Sequence, residues 1–317
     1  MIDLQHLVNP LGPSPKAVEA IKNNLSDIHK YTGPLKELIG KIAEMNGVKE
    51  DQILLSDGAD GALTLIATSI FKGKHIVIPQ PCFHRYKDYP AYLGIDYNLI
   101  SPKDSIFFDE DAILQSTGEI LLVASPNNPT GFEISEEFLF KALRKFQFVI
   151  LDETLSLSLK GKENLIEEHP NLIIIRSFSK LYGLAGLRVG YILCAVEHIQ
   201  KIRMVSTPFK VNYLGQVAAL AALEDLGYLR RTIRFFDDQR NSIFSVLADE
   251  KIRDSRSISY CLYLTKQQQL GLEEAGILLQ KDMGFGYGAN SGDIFRAVIG
   301  NPKQNSILAS VIKRYSK

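Results

Sequence analysis

The chain has 317 residues, which is enough for about two domains with a well-buried core. It carries 36 basic and 36 acidic side chains, so its net charge gives no support for a nucleic-acid or anionic-membrane partner. The N-terminal segment lacks the basic and apolar parts of a secretory signal, and no apolar run approaches the roughly 18 residues of a membrane span. We therefore expect a cytoplasmic protein that binds neither nucleic acid nor membrane.

The three cysteines, Cys82, Cys194 and Cys261, are widely spaced and form no CxxC pair. An odd number of distant cysteines without a histidine cluster is not typical of a disulfide framework or a zinc site. We expect all three to be buried small hydrophobic side chains in a reducing compartment, and we predict no metal site.

The N-terminal part of the chain is predicted to be an extended arm followed by helices and a strand. Four prolines within the first 34 residues indicate loops around a short helix near Lys16–Asn24. Leu35–Met45 has a helical pattern, and a second helix, Gly61–Phe71, follows the turn Ser56–Gly58. His75–Ile78 is a short β-rich run that ends at a proline. Helix and strand therefore begin to alternate in this region.

The middle of the chain has the pattern of strand, crossover helix and parallel strand. Ile120–Ala124 is an uninterrupted apolar run, as expected for a strand buried on both faces of a parallel sheet. Ser135–Phe146 is amphipathic, with Ser135 as its N-cap and two glutamates in its first turn. Phe148–Leu151 and Leu172–Ile175 are further apolar runs. Such βαβ units predict an α/β fold with a mostly parallel sheet.

Beyond residue 208 the pattern of predicted helices and strands changes to that of an α+β domain. Val211–Leu226 and Tyr228–Glu250 are predicted helices, and Ser259–Leu264 and Ile294–Ile299 are predicted strands. We predict three parts: an N-terminal arm over residues 1–30 that packs with the small domain, a large domain over residues 31–215, and a small C-terminal domain over residues 216–317.

Polar motifs follow several predicted strands, and α/β sheets bind ligands in the crevice beyond the carboxyl ends of their strands. These motifs are Ser56–Gly61, Asn127–Gly131, Asp152–Glu153 and Ser177–Lys180. A lysine can form a Schiff base when burial or a nearby cation lowers its pKa, which makes Lys180 the candidate imine-forming residue. Asp152, at the end of a buried strand, could pair with a protonated ring nitrogen and keep that ring an electron sink.

The chemistry of these motifs fits a phosphorylated cofactor that carries an aldehyde and a ring nitrogen that can be protonated. Several residues of the motifs, together with Arg188, suit the phosphate of such a cofactor. Hydroxyl groups and a bidentate guanidinium bind phosphate oxygens, and the free N–H groups at a helix N-terminus favour the same anion. The predicted phosphate-binding residues are Ala59, Asp60, Ser177, Ser179 and Arg188. Each motif alone is ordinary turn or surface chemistry. The prediction depends on their occurrence, in order, at successive strand ends.

Three stretches of the chain match motifs of a known family. They are residues 177–191 (SFSKLYGLAGLRVGY), 125–131 (SPNNPTG) and 9–15 (NPLGPSP). With these motifs the chain resembles the fold-type I pyridoxal 5′-phosphate (PLP) enzymes, and within them the class I and II aminotransferases of the histidinol-phosphate branch. The resemblance runs from about Asn9 to Gly300. It implies a three-layer large domain, a small α+β C-terminal domain and a homodimer.

The resemblance also implies the reaction and the roles of individual residues. An amino acid or a phosphorylated amine like histidinol phosphate would donate its amino group to a 2-oxo acid such as 2-oxoglutarate. Lys180 would hold PLP as a Schiff base and move a proton between the substrate α-carbon and the cofactor. Asp152 would pair with the pyridinium nitrogen, Asn128 would donate to the phenolic oxygen, and Phe83 would stack on the ring.

Further residues are assigned to the substrate and to the neighbouring subunit by the same resemblance. Arg296 would bind the anionic end of the substrate, with Asn9 assisting. Lys281 stands where these enzymes commonly carry an arginine that binds the substrate. Tyr31 matches a tyrosine that reaches the cofactor phosphate of the neighbouring subunit.

The sequence departs from the family pattern at several positions. Leu155 stands where the family usually has a tyrosine that donates to the phenolic oxygen, so this hydrogen bond is expected to be lost unless Tyr86 or Tyr182 replaces it. Leu11 replaces a frequent tyrosine, and Lys281 keeps a charge without the bidentate fork. We expect the glycine-rich segment 284–288 to be a loop near the substrate entrance.

Two alternative functions stay open on the sequence alone. The threonine-phosphate decarboxylase branch shares the lysine motif and the late arginine, and the bond that breaks depends on an angle that motifs do not report. A non-catalytic PLP-binding protein is the second alternative, and Leu155 is its best support. The presence of Lys180, Asp152, Asn128, Arg188 and Arg296 argues against it.

Overall fold

The computed structural model describes residues 1–103, 106–248, 255–281 and 294–316, and a seven-stranded sheet lies at its centre. The order across the sheet is β2-β8-β7-β6-β5-β3-β4, with β8 antiparallel to both neighbours and the other pairs parallel. These strands are β2 (Ile53–Ser56), β3 (Ile76–Pro79), β4 (Tyr97–Ile100), β5 (Ile120–Ala124), β6 (Phe148–Asp152), β7 (Leu172–Ser177) and β8 (Gly190–Leu193). The predicted mostly parallel α/β sheet is confirmed.

Successive residues of the central strands pack into two different apolar cores, one on each face of the sheet. In β5, Leu121 and Val123 belong to one core, and Ile120 and Leu122 belong to the other. This alternation follows from the two-residue period of a strand, and it explains why the apolar run is continuous. The sheet is therefore the middle layer of three.

Helices cover both faces of the sheet. Buried side chains of α3 (Gly58–Ser69), α4 (Arg85–Leu93) and α7 (Val196–Met204) belong to the core that contains Ile120. Those of α2 (Leu35–Asn46), α5 (Glu110–Gln115) and α6 (Glu136–Lys145) belong to the core that contains Leu121. Ser135 caps α6 through its hydroxyl, which accepts from the Phe138 N–H, as predicted. The first turns of α3 and α4 reach the carboxyl ends of the central strands, where Asp60 and Tyr86 line one cleft with Asp152.

The two ends of the chain meet in the remaining elements. Strand β1 (Ile2–Asp3) pairs with β10 (Ile277–Leu278), and β9 (Ser259–Tyr263) pairs antiparallel with β11 (Ile294–Val298). The helices here are α1 (Pro15–Asn23), α8 (Tyr213–Glu224), α9 (Leu226–Val246), α10 (Lys266–Glu274) and α11 (Pro302–Arg314). The N-terminal arm thus pairs with a strand of the C-terminal part, while the predicted domain boundaries stay a prediction.

Several other expectations can be compared with the structure. Cys82, Cys194 and Cys261 are buried free thiols, as expected. Within the described ranges no helix is long and apolar enough to span a membrane, and no group of His, Cys, Asp and Glu could hold a metal ion. The glycine-rich segment 284–288 lies outside the described residues.

Candidate active site

A cleft that is partly open to solvent lies at the carboxyl ends of the central strands beside the N-terminus of α3. All but one of the predicted cofactor-binding residues line it. They are Ala59, Asp60, Phe83, Asn128, Asp152, Ser177, Ser179, Lys180 and Arg188. Parallel strands end at the same edge of a sheet, and this explains why motifs far apart in sequence meet in one cleft.

Lys180 follows β7 and directs its amine towards the N-terminal arm. Its Nζ donates to the backbone oxygen of Leu7 at 2.8 Å. Burial lowers the pKa of the Lys180 amine to about 8, and the positive charges of Arg296 and Arg188 act in the same direction. The amine therefore loses its proton about two pH units lower than an ordinary lysine does.

Asp152 ends β6 and is buried with neutral hydrogen-bond donors on both oxygens. The Tyr86 hydroxyl donates to Oδ2 at 2.7 Å, and the Thr154 N–H donates to Oδ1 at 2.8 Å. Burial raises the pKa of the Asp152 carboxyl, although both hydrogen bonds act in the opposite direction. A buried carboxylate supported by neutral donors is suited to a cationic partner that enters the cleft.

One end of the cleft collects groups that bind anions. The first turn of α3 contributes Ala59 and Asp60, and the Ser177 hydroxyl donates to the Ser179 hydroxyl at 2.9 Å. Arg188 lies across this end, with Nη2 3.2 Å from Oδ2 of Asp60. Free N–H groups, hydroxyls and a guanidinium are the groups that cradle a phosphate.

Gly190 allows the start of α3 to approach the sheet closely enough to form this cradle. A Cβ added there would lie 2.7 Å from the carbonyl carbon of Gly58 and 3.0 Å from the nitrogen of Ala59. Both contacts are to backbone atoms, which cannot move aside as a side chain can. The close approach of the helix start to β8 therefore requires that position 190 has no side chain.

A second cleft adjoins the first and shares Phe83, Asn128 and Lys180 with it. Arg296 lies in it and donates from Nη1 to Oδ1 of Asn128 at 2.8 Å and from Nη2 to the backbone oxygen of Gln5 at 2.7 Å. Burial lowers the pKa of its guanidinium to about 10. Polar side chains of Gln5, His6, His84 and Gln280 complete the lining. The cleft therefore offers a buried cation and several hydrogen-bonding groups beside Lys180.

Leu155 lines the first cleft as an apolar side chain. Tyr86 also lines it, but its hydroxyl already donates to Asp152. Tyr182 is buried, packs against Phe178 with tilted rings 4.7 Å apart between centroids, and is not among the lining residues. Neither of the two tyrosines considered as substitutes for a phenol at position 155 therefore presents a free hydroxyl to the cleft: the Tyr86 hydroxyl is bonded to Asp152, and Tyr182 does not line the cleft.

Three predicted residues lie outside both clefts in a single chain. Asn9 is buried and ties loops together, since its Nδ2 donates to the oxygen of Leu181 and its Oδ1 accepts from the N–H of Leu11. Lys281 is exposed, with Nζ 5.7 Å from the Phe295 ring centroid. Tyr31 is 78% exposed and stacks on Phe209. Their assigned roles stay predictions.

A buried charge cluster on the opposite face of the same strand ends was not predicted from the sequence. Arg176 donates from Nε to Glu153 at 2.8 Å and from Nη2 to Glu163 at 2.5 Å, and it also contacts Asn46. Arg176 immediately precedes Ser177, and Glu153 immediately follows Asp152. The signal that could have revealed the cluster is an arginine inside an otherwise apolar strand.

The residues of the first cleft fit PLP by their chemistry. Lys180 supplies an amine with a lowered pKa, Asp152 supplies a buried carboxylate whose partners are neutral, and the cradle at α3 supplies donors for a phosphate. These groups correspond to the aldehyde, the ring nitrogen and the phosphate of the cofactor. Phe83 provides an aromatic surface beside them.

Residues 1–312 match the model of the family Aminotransferase class I and II. The chain is 31% identical to the histidinol-phosphate aminotransferase of Staphylococcus carnosus, with 99% of this chain and 91% of that protein covered. Both findings concern nearly the whole chain. They support the same family as the motifs around Lys180.

Solved structures show the same fold. The histidinol-phosphate aminotransferase of Sinorhizobium meliloti in complex with pyridoxal-5′-phosphate superposes with a TM-score of 0.84 at 22% identity, over 99% of this chain and 91% of that one. The L-threonine-O-3-phosphate decarboxylase of Porphyromonas gingivalis superposes with a TM-score of 0.85 at 22% identity, with 99% of each chain covered. The chain belongs to the class I and II aminotransferase family and is a PLP-dependent aminotransferase.

Proposed function

We propose that this enzyme transfers an amino group from an amino acid or a phosphorylated amine like histidinol phosphate to a 2-oxo acid such as 2-oxoglutarate. The observation that carries the proposal is the cleft beside Lys180 with the buried guanidinium of Arg296 in it. The name of the Staphylococcus carnosus relative supports the phosphorylated amine. We also propose that the enzyme works in the cytoplasm.

Lys180 is proposed as the residue that binds the cofactor aldehyde and carries the proton. When bound, PLP supplies an electron sink for the negative charge that develops at the substrate α-carbon. Lys180 Nζ, with its pKa near 8, can accept the α-proton as a neutral amine and deliver it to the cofactor carbon that carried the aldehyde. At pH 7 about one such amine in ten is neutral, whereas at the ordinary lysine pKa only about one in a few thousand would be.

The other lining residues are proposed to hold the cofactor. Asp152 is proposed to pair with the ring nitrogen, Asn128 to donate to the phenolic oxygen and Phe83 to cover the ring face. Arg296 supports this role of Asn128, because its donation to Oδ1 leaves the Nδ2 protons of Asn128 free to face the cleft. The phosphate is proposed to lie among Ala59, Asp60, Ser177, Ser179 and Arg188.

Arg296 is proposed to bind the carboxylate or other anionic group of the substrates. Its Nε is buried without a hydrogen-bond partner among the described residues, and its two Nη contacts are with neutral oxygens. A desolvated guanidinium with neutral partners gains more from a carboxylate than an exposed one would, because the solvent has already been removed. Asn9 and Lys281 are retained as proposed substrate-side residues.

We also propose a homodimer in which Tyr31 contacts the cofactor phosphate of the partner. Tyr31 and Phe209 stack together and expose 78% and 58% of their surfaces, which is unusual for two adjacent large aromatic rings. Sedimentation should give a dimer. Mixing Tyr31→Ala with Lys180→Ala protein should restore part of the activity if the two residues serve one site from different chains.

The test of the reaction is an amine-only half reaction followed through the cofactor absorbance. Holoenzyme mixed with histidinol phosphate should accumulate pyridoxamine phosphate, and adding 2-oxoglutarate should regenerate the starting spectrum. Histidinol is the matched control for the phosphate, and threonine phosphate tests the decarboxylase alternative. Release of CO₂ from threonine phosphate without pyridoxamine phosphate would overturn the proposal, as would the absence of any half reaction across these donors and the standard amino acids.

A further inference from the structure

Tyr86 is a buried residue in the first turn of α4 that the family resemblance did not place in the reaction. It is 1% exposed, and its hydroxyl donates to Oδ2 of Asp152 at 2.7 Å. Its ring meets that of Phe83 edge to face, with centroids 5.8 Å apart. The Tyr86 side chain therefore contacts both Asp152 and Phe83, the two residues that are proposed to bind the ring of the cofactor.

The donation from Tyr86 has a defined effect on Asp152. Burial raises the pKa of a carboxyl group by penalising its ionised form, and a hydroxyl that donates to one oxygen stabilises that form. Burial also raises the pKa of the Tyr86 phenol well above its usual range, so the hydroxyl is always the donor in this pair. The Thr154 N–H occupies the other oxygen. Together the two donors fix the plane of the carboxylate.

We propose that Tyr86 is a positioning residue that keeps Asp152 ionised and aimed at the ring nitrogen of the cofactor. This inference rests on the proposed role of Asp152. The phenol of this site therefore acts at the nitrogen side of the ring, whereas position 155, on the cleft wall, offers only an apolar leucine. Tyr86 reaches the cofactor through Asp152.

The variant Tyr86→Phe isolates the hydroxyl, because phenylalanine keeps the ring that packs against Phe83. The probes are PLP and 1-deazapyridoxal phosphate, in which a C–H group replaces the ring nitrogen. Dissociation constants of both are measured by titration of the apoprotein. The constant for the deaza analogue divided by the constant for PLP reports how strongly the site favours a protonated ring nitrogen over a neutral C–H, independently of packing.

We expect Tyr86→Phe to lower this ratio by about tenfold, as for the loss of one hydrogen bond to a charged group. The rate constant of the half reaction at saturating amine should fall by a similar factor, with little change in the amine concentration that gives half of the maximal rate. Tyr260→Phe is the matched control, since Tyr260 is fully buried on β9 and its hydroxyl has no partner among the described residues. It should leave the ratio unchanged.

Asp152→Asn separates the inference from the role on which it rests. This variant should remove most of the preference for PLP over the deaza analogue. If it does so and Tyr86→Phe leaves the ratio unchanged, or weakens both ligands equally, then Tyr86 only packs and the inference is wrong. If Asp152→Asn itself leaves the ratio unchanged, the role of Asp152 is wrong and the inference falls with it.

Discussion

The ends of β6 and β7 carry buried charges on both faces of the central sheet, and the two faces arrange them differently. On one face, Arg176 is paired with Glu153 and Glu163 at 2.7 Å or less. On the other face, Asp152 and Lys180 lie in the first cleft and hydrogen-bond to neutral groups. Glu153 directly follows Asp152, and Arg176 directly precedes Ser177, so the two-residue period of a strand directs the members of each pair to opposite sides.

This comparison separates charges that hold the protein together from charges that remain available to a ligand. A buried ion pair satisfies its own electrostatics and has little left for a ligand. A buried charge with neutral partners keeps most of its capacity to attract an opposite charge or to shift its protonation. We infer that the face with Arg176, Glu153 and Glu163 (the paired face) fixes the strand ends. The face with Asp152 and Lys180 (the unpaired face) is inferred to carry the chemistry.

Lys180→Ala tests the unpaired face and should have the largest effect. Without the amine there is no covalent attachment of PLP and no base at the α-carbon, so the half reaction should slow by about a thousandfold or more. Borohydride reduction followed by mass spectrometry measures the attachment. A reduced PLP adduct that persists in Lys180→Ala would contradict the assignment.

Arg176→Met tests the paired face. It leaves Glu153 and Glu163 buried without their cation, and breaking a buried pair in this way costs about 3–5 kcal/mol of the free energy of unfolding. Urea unfolding of the holoenzyme measures the loss. Lys141→Ala, which breaks an exposed pair with Glu137, is the control and should cost at most about 1 kcal/mol. Equal losses for the two variants would show that the buried cluster has no special weight.

The pH dependence of PLP capture by the apoprotein tests the lowered pKa of Lys180. Its expected effect is the smallest of the three. Only the neutral amine attacks the aldehyde, and the pKa of Lys180 is lowered to about 8, so the rate should rise between about pH 7 and pH 9 and then level off. Arg296→Gln removes a positive charge that lowers this pKa, so the midpoint should move to higher pH. A midpoint near the ordinary lysine value in the unmodified protein would show that burial does not act on Lys180.

Part of this fold follows directly from local sequence patterns. Ile120–Ala124 is a strand because a continuous β-branched and leucine run suits burial on both faces, and Ser135 starts α6 by capping it. Helix α4 was not predicted, because Pro90 lies inside it and proline normally ends a helix. Here the burial of Tyr86 and Pro90 outweighs that local preference.

The candidate site was predictable to a similar extent. The motifs at the ends of β6 and β7 identified Asp152, Ser177 and Lys180, because parallel strands bring their ends together. The contact between Tyr86 and Asp152 joins positions 66 residues apart and has no sequence signal of its own. The place of Asn9 could not be predicted either, since its side chain is used by the backbone of Leu181 and Leu11.

The position of β2 at the edge of the sheet also constrains how this protein can be assembled. Among the described residues its one neighbour is β8, which lies about 135 residues later in the chain, so β2 is synthesised long before it can be paired. The phosphate cradle spans the same gap, because α3 follows β2 and Arg188 precedes β8. With the phosphate site proposed above, we expect a nascent chain to retain PLP only after β8 has emerged from the ribosome, and until then β2 depends on collapse or chaperones for protection.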